Sequence, residues 1–194
     1  MYTCWNEKSI GGINMAKKKP LILGSTIFLL LIIIATIFTS YNLNDIRLKM
    51  AINNLYELIS NENIDDTNLT IYYYGVHFFT PIPLTVDDLI NGYVEQKIII
   101  NSSGLKEHID LFKQISTDDL IPIKENDDYS DIRLYYVLES DKLDKSFGVA
   151  MAGAHGIFVN GVEVEDNVIF CDVLAPFMSK DTIEEIRYYF FGMD

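Results

Sequence analysis

Cysteine is scarce in this sequence: the only two, Cys4 and Cys171, lie on either side of a long apolar segment. The two cannot form a disulfide if that segment spans a membrane, so no disulfide framework holds the chain together. The run 168–173, Val-Ile-Phe-Cys-Asp-Val, has the composition of a β-strand, in which a lone cysteine is a small buried hydrophobe. The folded part must depend on its hydrophobic core.

Basic residues are also few, with 15 Lys and Arg against 28 Asp and Glu, a net charge of −13. A nucleic-acid-binding surface needs a basic patch that neutralises phosphates, and the sequence offers none. The excess of carboxylates is typical of a well-solvated surface or of one that attracts a cationic partner. We therefore expect no nucleic-acid partner, and a cationic protein is the partner that the charge favours.

Motifs of common catalytic sites are missing as well. None of the glycines between residues 148 and 156 precedes the Lys-Ser or Lys-Thr of a phosphate loop, and no Gly-x-Ser-x-Gly occurs. No histidine has a second His or Cys at ligand spacing, so neither a metal nor a cofactor is predicted. The histidines are His77, His108 and His155. His155, with a glycine next to it, is the most accessible of them, and it defines the alternative hypothesis of an enzyme.

The longest uncharged apolar run, residues 21–39, predicts a transmembrane helix. Nineteen residues at about 1.5 Å each reach roughly 28 Å, close to the hydrocarbon thickness of a bilayer. The run is longer than the apolar part of a cleaved signal peptide, and Phe38 or Ile37 stands where signal peptidase needs a small residue. We therefore expect an uncleaved signal anchor rather than a processed leader.

Three lysines, at positions 17–19, precede the apolar run and predict its orientation. Basic residues beside a first transmembrane helix stay in the cytoplasm, so residues 1–20 form a short cytoplasmic basic tail and everything after residue 40 is extracytoplasmic. The tail carries +3, which leaves −16 for the rest of the whole-chain −13. A second interpretation starts translation at Met15, because Gly11-Gly12 is compatible with a bacterial ribosome-binding site in the gene.

The residues after the run predict one juxtamembrane helix and one domain. Residues 40–62 carry Leu48, Ile52, Leu55 and Ile59 on one face, the spacing of an amphipathic helix. Residues 63–194 are enough for a single domain with its own core. The abundance of Ile, Asn, Asp, Lys and Tyr is typical of an A/T-rich genome and indicates a low-GC Gram-positive bacterium.

Within the domain, closely spaced strand-like segments predict a mainly antiparallel sheet with helices on one face, an α+β fold. Thr85 to Asp88 matches a capping box that starts a short helix, and a final helix begins near Lys180. Asn160-Gly161 predicts a type I′ hairpin, because both residues tolerate positive φ. The predicted strands are 69–80, 93–101, 132–139, 146–151, 156–159, 162–165 and 168–174.

Aromatic residues supply the candidate binding surface. Strand alternation places Tyr72 and Tyr74 on one face and Tyr73 on the other, and exposed tyrosines on a sheet suit protein contacts. The predicted binding surface consists of Tyr72, Tyr74, Tyr135 and His155. The sequence thus favours a single-pass anchored domain with a non-catalytic binding or regulatory role at the cell envelope, in one version an immunity protein against a cationic toxin. The alternative is an envelope hydrolase with a site near His155.

The predicted orientation has a direct test. Protease added to intact protoplasts of the source bacterium should remove the domain that follows residue 40, because that domain lies outside the membrane. Immunoblotting with a C-terminal tag measures the loss, and a cytoplasmic marker protein is the control. A domain that is degraded only after lysis would contradict the predicted topology.

Overall fold

The structure, a computed structural model, describes residues 19–92, 94–123, 131–153 and 156–193. Within 19–42 it describes the side chains of Phe28, Leu29, Leu30 and Ile33. The chain divides into two compact units, Met1–Asn42 and Leu43–Asp194. The long helix α1, Lys19–Leu58, supplies residues to both units.

The first unit contains the predicted transmembrane run. Its backbone is helical throughout residues 21–39, but most of its side chains lie outside the described residues. No helix built from the fully described residues is long and apolar enough to cross a membrane. The four described side chains of the run are 47–66% exposed. The transmembrane helix stays a prediction, and so does the basic tail, of which residues 1–18 lie outside the described part.

The second unit is built around one antiparallel sheet, as the sequence predicts, and the sheet has six strands. Its spatial order is β2-β1-β3-β4-β5-β6, so every neighbour except the β1–β3 pair is also consecutive in the chain. Short turns join β3 to β6, whereas two longer connections, from β1 to β2 through α2 and from β2 to β3, link the remaining strands. The strands are β1 Asn68–Tyr73, β2 Gln96–Ile100, β3 Ile132–Ser140, β4 Lys145–Ala152, β5 Gly156–Val159 and β6 Val162–Val164.

One face of the sheet, which we call the core face, carries the main hydrophobic core. On β1 it presents Leu69, Ile71 and Tyr73, and in register with Ile71 it presents Tyr136 of β3. Five helical segments lie against this face: the last part of α1, α3 Ser102–Lys106, α4 Ile109–Phe112, α5 Ile169–Asp172 and α6 Lys180–Phe191. Burial of these apolar side chains is the main source of the domain's stability.

The domain's part of α1 packs as the amphipathic pattern predicts. Leu48, Ile52, Leu55 and Ile59 are at most 4% exposed and belong to the core cluster. The helix is fastened at its C-terminal end, where Thr67 Oγ1 donates a 2.9 Å hydrogen bond to the Leu58 carbonyl directly before β1. The chain therefore reverses here, and β1 runs back along the helix.

The opposite face, which we call the second face, is covered only in part. The short helix α2, Val86–Asn91, places Leu89 in a smaller cluster with Tyr72, Ile132 and Ala150. The expectation that the helices group on one face is therefore wrong for α2. The reason is that Tyr72 and its neighbours on the second face are apolar and themselves need cover.

Local sequence signals are confirmed at three sites. Thr85 and Asp88 form the predicted capping box, and Ser179 caps α6. Asn160 and Gly161 have φ of 47° and 77°, as the hairpin requires.

One predicted strand is too long and another is wrong. The first strand ends at Tyr73 rather than at Thr80, because the chain leaves the sheet before Pro81 and Pro83. Residues 168–174 contain α5 instead of a strand. The sheet edge beside β6 is already occupied, since Ile123 N donates to the Glu163 carbonyl and Glu165 N to the Ile121 carbonyl.

The core contact of α1 gives a stability prediction. Leu55→Ala removes a side chain with no exposed surface and leaves a cavity, so the free energy of unfolding should fall by about 2–5 kcal/mol. Guanidinium unfolding followed by far-ultraviolet circular dichroism measures it. Met50→Ala on the same helix, at 59% exposure, is the matched control and should change stability by less than about 0.5 kcal/mol. Equal losses would contradict the packing of α1.

Candidate functional site

The second face is organised by one row of paired residues that crosses all six strands. The register places these residues side by side, in the order Lys97, Tyr72, Tyr135, Ala150, Phe158 and Glu163. Three aromatic rings and one small residue thus occupy the middle, and one charged residue stands at each end. Cross-strand neighbours of this kind contact each other directly, so the row acts as a continuous strip.

The two central tyrosines stack. The rings of Tyr72 and Tyr135 are 6.0 Å apart between centroids and inclined by 24°, and the Lys97 ammonium lies 5.0 Å from the centre of the Tyr72 ring. Tyr72 is only 8% exposed, whereas Tyr135 is half-buried. Tyr135 is therefore the member of the pair that a ligand can reach.

Beside Tyr135 the second face opens into a groove of about 710 Å³. Its floor is formed by β3, β4 and β5, and its walls are the start of α2 and the β5–β6 turn. The lining residues are Thr85, Val86, Ile132, Tyr135, Ser146, Gly148, Ala150, Phe158, Asn160 and Gly161. None of these described residues carries a charge, so the groove suits an apolar or aromatic group with hydroxyls at hand for hydrogen bonding.

Gly148 makes room for the Tyr135 ring. A Cβ atom at Gly148 would lie 2.9 Å from Tyr135 Oη and 3.2 Å from a ring carbon, so any larger residue would displace the ring. The amide of Gly148 donates a 2.7 Å hydrogen bond to Asn160 Oδ1, and Asn160 N returns a 2.9 Å bond to the Gly148 carbonyl. These bonds fix the turn that forms the far wall of the groove.

Burial of the Tyr135 ring raises the pKa of its hydroxyl to about 12, and the nearby Glu139 carboxylate and Tyr72 act in the same direction. Loss of water disfavours the phenolate, and a neighbouring negative charge disfavours it further. The hydroxyl is therefore a neutral hydrogen-bonding group at physiological pH. It is suited to orienting a ligand and not to acting as a base.

An acidic concavity adjoins the groove at Ser146, which lines both. Its charged lining residues are three carboxylates, Glu139, Asp141 and Asp144, and one cation, Lys145. Among the described residues no cation lies within ion-pair distance of these three carboxylates, whereas Lys142 pairs with Asp66 and Lys145 with Glu57. Uncompensated negative charge thus borders the aromatic groove.

The sequence-predicted site residues are brought together only in part. Tyr72, Tyr74 and Tyr135 share the second face, but Tyr74 does not line the groove. The Tyr74 ring centroid lies 5.7 Å from that of Phe78 and 5.3 Å from the guanidinium carbon of Arg133. Tyr135 lines the groove directly. His155 lies outside the described residues.

Sequence reasoning did not identify Gly148, Phe158 and Glu139 as site residues. A glycine inside a strand often marks a close approach of another group, which was the available signal for Gly148. Phe158 and Glu139 carry no such signal, because their place depends on strand register.

The other side chains that could react or bind a metal lie outside the groove. Cys171 is fully buried, and its burial raises the pKa of the thiol to about 12, so it remains an unreactive thiol. His77 Nε2 lies 3.3 Å from a Glu185 oxygen on the surface. Among the described residues no three His, Cys, Asp or Glu side chains are grouped so as to hold a metal ion.

The Tyr135 hydroxyl gives a pH prediction. Its folded-state pKa, about 12, exceeds the value of about 10 expected in the unfolded chain. The resulting stability is fully present below pH 10 and is lost as pH rises through 12, with a slope of at most about 1.4 kcal/mol per pH unit. Tyr135→Phe should therefore flatten the loss of stability between pH 10 and 12 in denaturant unfolding. An unchanged slope in Tyr135→Phe would contradict the raised pKa of this hydroxyl.

Comparison of the chain with protein-family models, with curated proteins and with solved structures finds no match. The groove and its acidic border are therefore the features from which a function has to be inferred.

Proposed function

We propose that this protein is a single-pass membrane protein whose extracytoplasmic domain binds a cationic protein partner and does not catalyse a reaction. The observation that carries the proposal is the uncharged aromatic groove with uncompensated carboxylates along its border. A basic segment with an apolar or aromatic side chain would place that side chain against Tyr135 and Phe158. Its cationic groups would then lie beside Glu139 and Asp141.

The membrane anchor in this proposal is residues 21–39. The apolar run of suitable length, the three preceding lysines and the net −16 of the residues after the tail support it. The described large side chains Phe28, Leu29, Leu30 and Ile33 expose apolar surface on a helix, and such surface is stable in contact with lipid. The N-terminal tail then lies in the cytoplasm.

The charge of the domain supports a cationic partner on kinetic grounds. A surface of one sign attracts the opposite sign over about a Debye length, roughly 10 Å at 0.1 M salt, and raises the rate of encounter. A protein that intercepts a basic toxin at the cell surface benefits from such attraction. An immunity protein is therefore the specific role that we favour for a cell-envelope bacterial protein of this kind.

A binding role accounts for the groove better than an enzyme does. The described residues that line it include no histidine, cysteine or carboxylate, and the pKa of the Tyr135 hydroxyl is raised away from the range that a general base requires. Hydroxyls and aromatic rings are typical of recognition surfaces, in which they orient a partner without reacting with it.

The proposal is tested with the full chain in nanodiscs. The immobilised chain should capture a protein of net positive charge from envelope and secreted fractions of the source bacterium. Glu139→Lys with Asp141→Lys should lower the association rate constant by about tenfold or more at low salt, because both carboxylates border the groove. Surface plasmon resonance at two salt concentrations measures the rate, and the difference should shrink at high salt.

Glu107→Lys with Asp118→Lys is the matched control. It makes the same change in net charge at exposed positions that line neither the groove nor its acidic border. Its association rate should stay close to the wild-type value. An acidic partner, or equal effects of the two double variants, would contradict the proposed binding surface.

A further inference from the structure

The loop of residues 75–83, which follows β1, exposes large apolar side chains. Phe79 is 90% exposed, Ile82 67% and Phe78 52%. These three side chains lie within five consecutive residues, so their apolar surface forms one patch and not scattered single contacts. Soluble surfaces rarely maintain such a patch, and where one persists it marks a contact with another apolar phase.

The loop is held in place by an ion pair between buried Arg133 and half-buried Asp131. Arg133 is 5% exposed, and its Nε donates a 2.7 Å bond to Asp131 Oδ2. The same guanidinium donates to the Phe78 carbonyl at 2.7 Å and to Thr80 Oγ1 at 3.2 Å. A buried arginine that bonds the backbone and side chain of the loop from inside fixes its conformation.

Further contacts close the base of the loop. Asp131 Oδ1 accepts a 2.8 Å bond from Leu84 N, and Ile132 N donates to the Leu84 carbonyl. Pro81 and Pro83 restrict the backbone between these bonds. These bonds fix the backbone of the loop, and the side chains of Phe78, Phe79 and Ile82 remain exposed to solvent.

The charge of the loop differs from that of the whole chain. The 20 residues from Thr67 to Val86 contain no Asp, Glu, Lys or Arg, although the chain has 43 such residues among its 194. The carboxylates that reach this segment from outside are engaged there: Asp131 with Arg133 and the Leu84 amide, Asp88 with Thr85, Glu95 with the amide of Gly75, and Glu185 with His77. The apolar patch thus lacks the carboxylates that would be repelled by anionic lipid headgroups.

The position of the loop points to the bilayer as the contacting phase. The domain's part of α1 ends beside the start of β4, where Asn54 Nδ2 donates to the Ser146 carbonyl and Glu57 pairs with Lys145. The register places the start of β4 level with the start of β1, so the loop after Tyr73 lies at the other end of the sheet, the end from which α1 enters the domain. Leu43, the first residue of the domain, is four residues from Thr39, the last residue of the proposed anchor. Four residues span at most about 14 Å, which keeps this end of the domain near the membrane surface.

We propose that Phe78, Phe79 and Ile82 insert into the outer face of the bilayer that residues 21–39 span. This inference rests on the membrane anchor of the proposed function. Two attachments, the anchor and the loop, then fix how the domain stands on the membrane, whereas one attachment would let it rotate. The groove on the second face is thereby held in a constant orientation toward arriving partners.

The test uses tryptophan as a depth probe in the full chain. Trp5 is the only tryptophan, so Trp5→Phe provides a silent background into which Phe79→Trp is introduced. The chain is reconstituted into vesicles of phosphatidylglycerol and phosphatidylcholine, with or without brominated acyl chains. Flotation first measures whether the chain is membrane-bound, and fluorescence then measures the loop. We expect W5F/F79W to have blue-shifted emission that brominated lipid largely abolishes.

The matched control is W5F/D141W, at an exposed position in the β3–β4 turn, at the opposite end of the sheet. Its emission should remain unshifted and unquenched. A chain that floats but shows no lipid quenching of W5F/F79W would overturn the loop contact and leave the anchor intact. Blue-shifted emission without lipid quenching would also overturn it, since a protein surface or a second copy would then cover the loop. A chain that does not float would overturn the anchor, and the loop contact with it.

Discussion

The six-stranded sheet has two apolar faces, and this constraint determines most of the domain's architecture. Packing of α1, α3, α4, α5 and α6 satisfies the core face, where residues such as Leu55, Tyr136 and Phe190 are completely or almost completely buried. Among the residues that the structure describes, only α2 and its flanking segments cover the second face. Because α2 is six residues long, it covers one end of this face, and the groove is the part that it leaves accessible.

The aromatic row on the second face combines stability with recognition. Tyr72 stacks on Tyr135 and is almost completely buried, so it contributes to the fold. Tyr135 lines the groove, and its ring and hydroxyl lie against Gly148. A change at Gly148 would therefore alter the groove through the position of Tyr135, without any direct contact to a ligand.

The ion pair between buried Arg133 and half-buried Asp131 connects the sheet to the apolar loop. A buried charge pair contributes little net stability, because desolvation offsets much of the attraction. Its value here lies in geometry, since one guanidinium bonds Asp131, the Phe78 carbonyl and the Thr80 hydroxyl at the same time. The pair fixes a loop whose exposed side chains could not fix it by packing.

Local features of this protein were determined by the sequence alone. The capping box at Thr85, the hairpin at Asn160-Gly161 and the helical face of Leu48, Ile52 and Leu55 each depend on a few neighbouring residues, and each is present in the structure. The antiparallel sheet also follows from short turns between strands. The helix α5 does not follow from the sequence, because residues 168–174 have the composition of a strand. They contain a helix in a fold whose adjacent sheet edge is already occupied by residues 121–123.

Tertiary structure alone decided the candidate site. The groove requires residues from β3, β4, β5 and α2 in one place, and its acidic border requires Glu139 to stand in register with Ser146. Tyr135 could be named in advance because strand alternation is a local rule. Its partners could not, because register and the placement of α2 on the second face result from the packing of the whole sheet, in which residues distant in sequence compete for the same apolar surface.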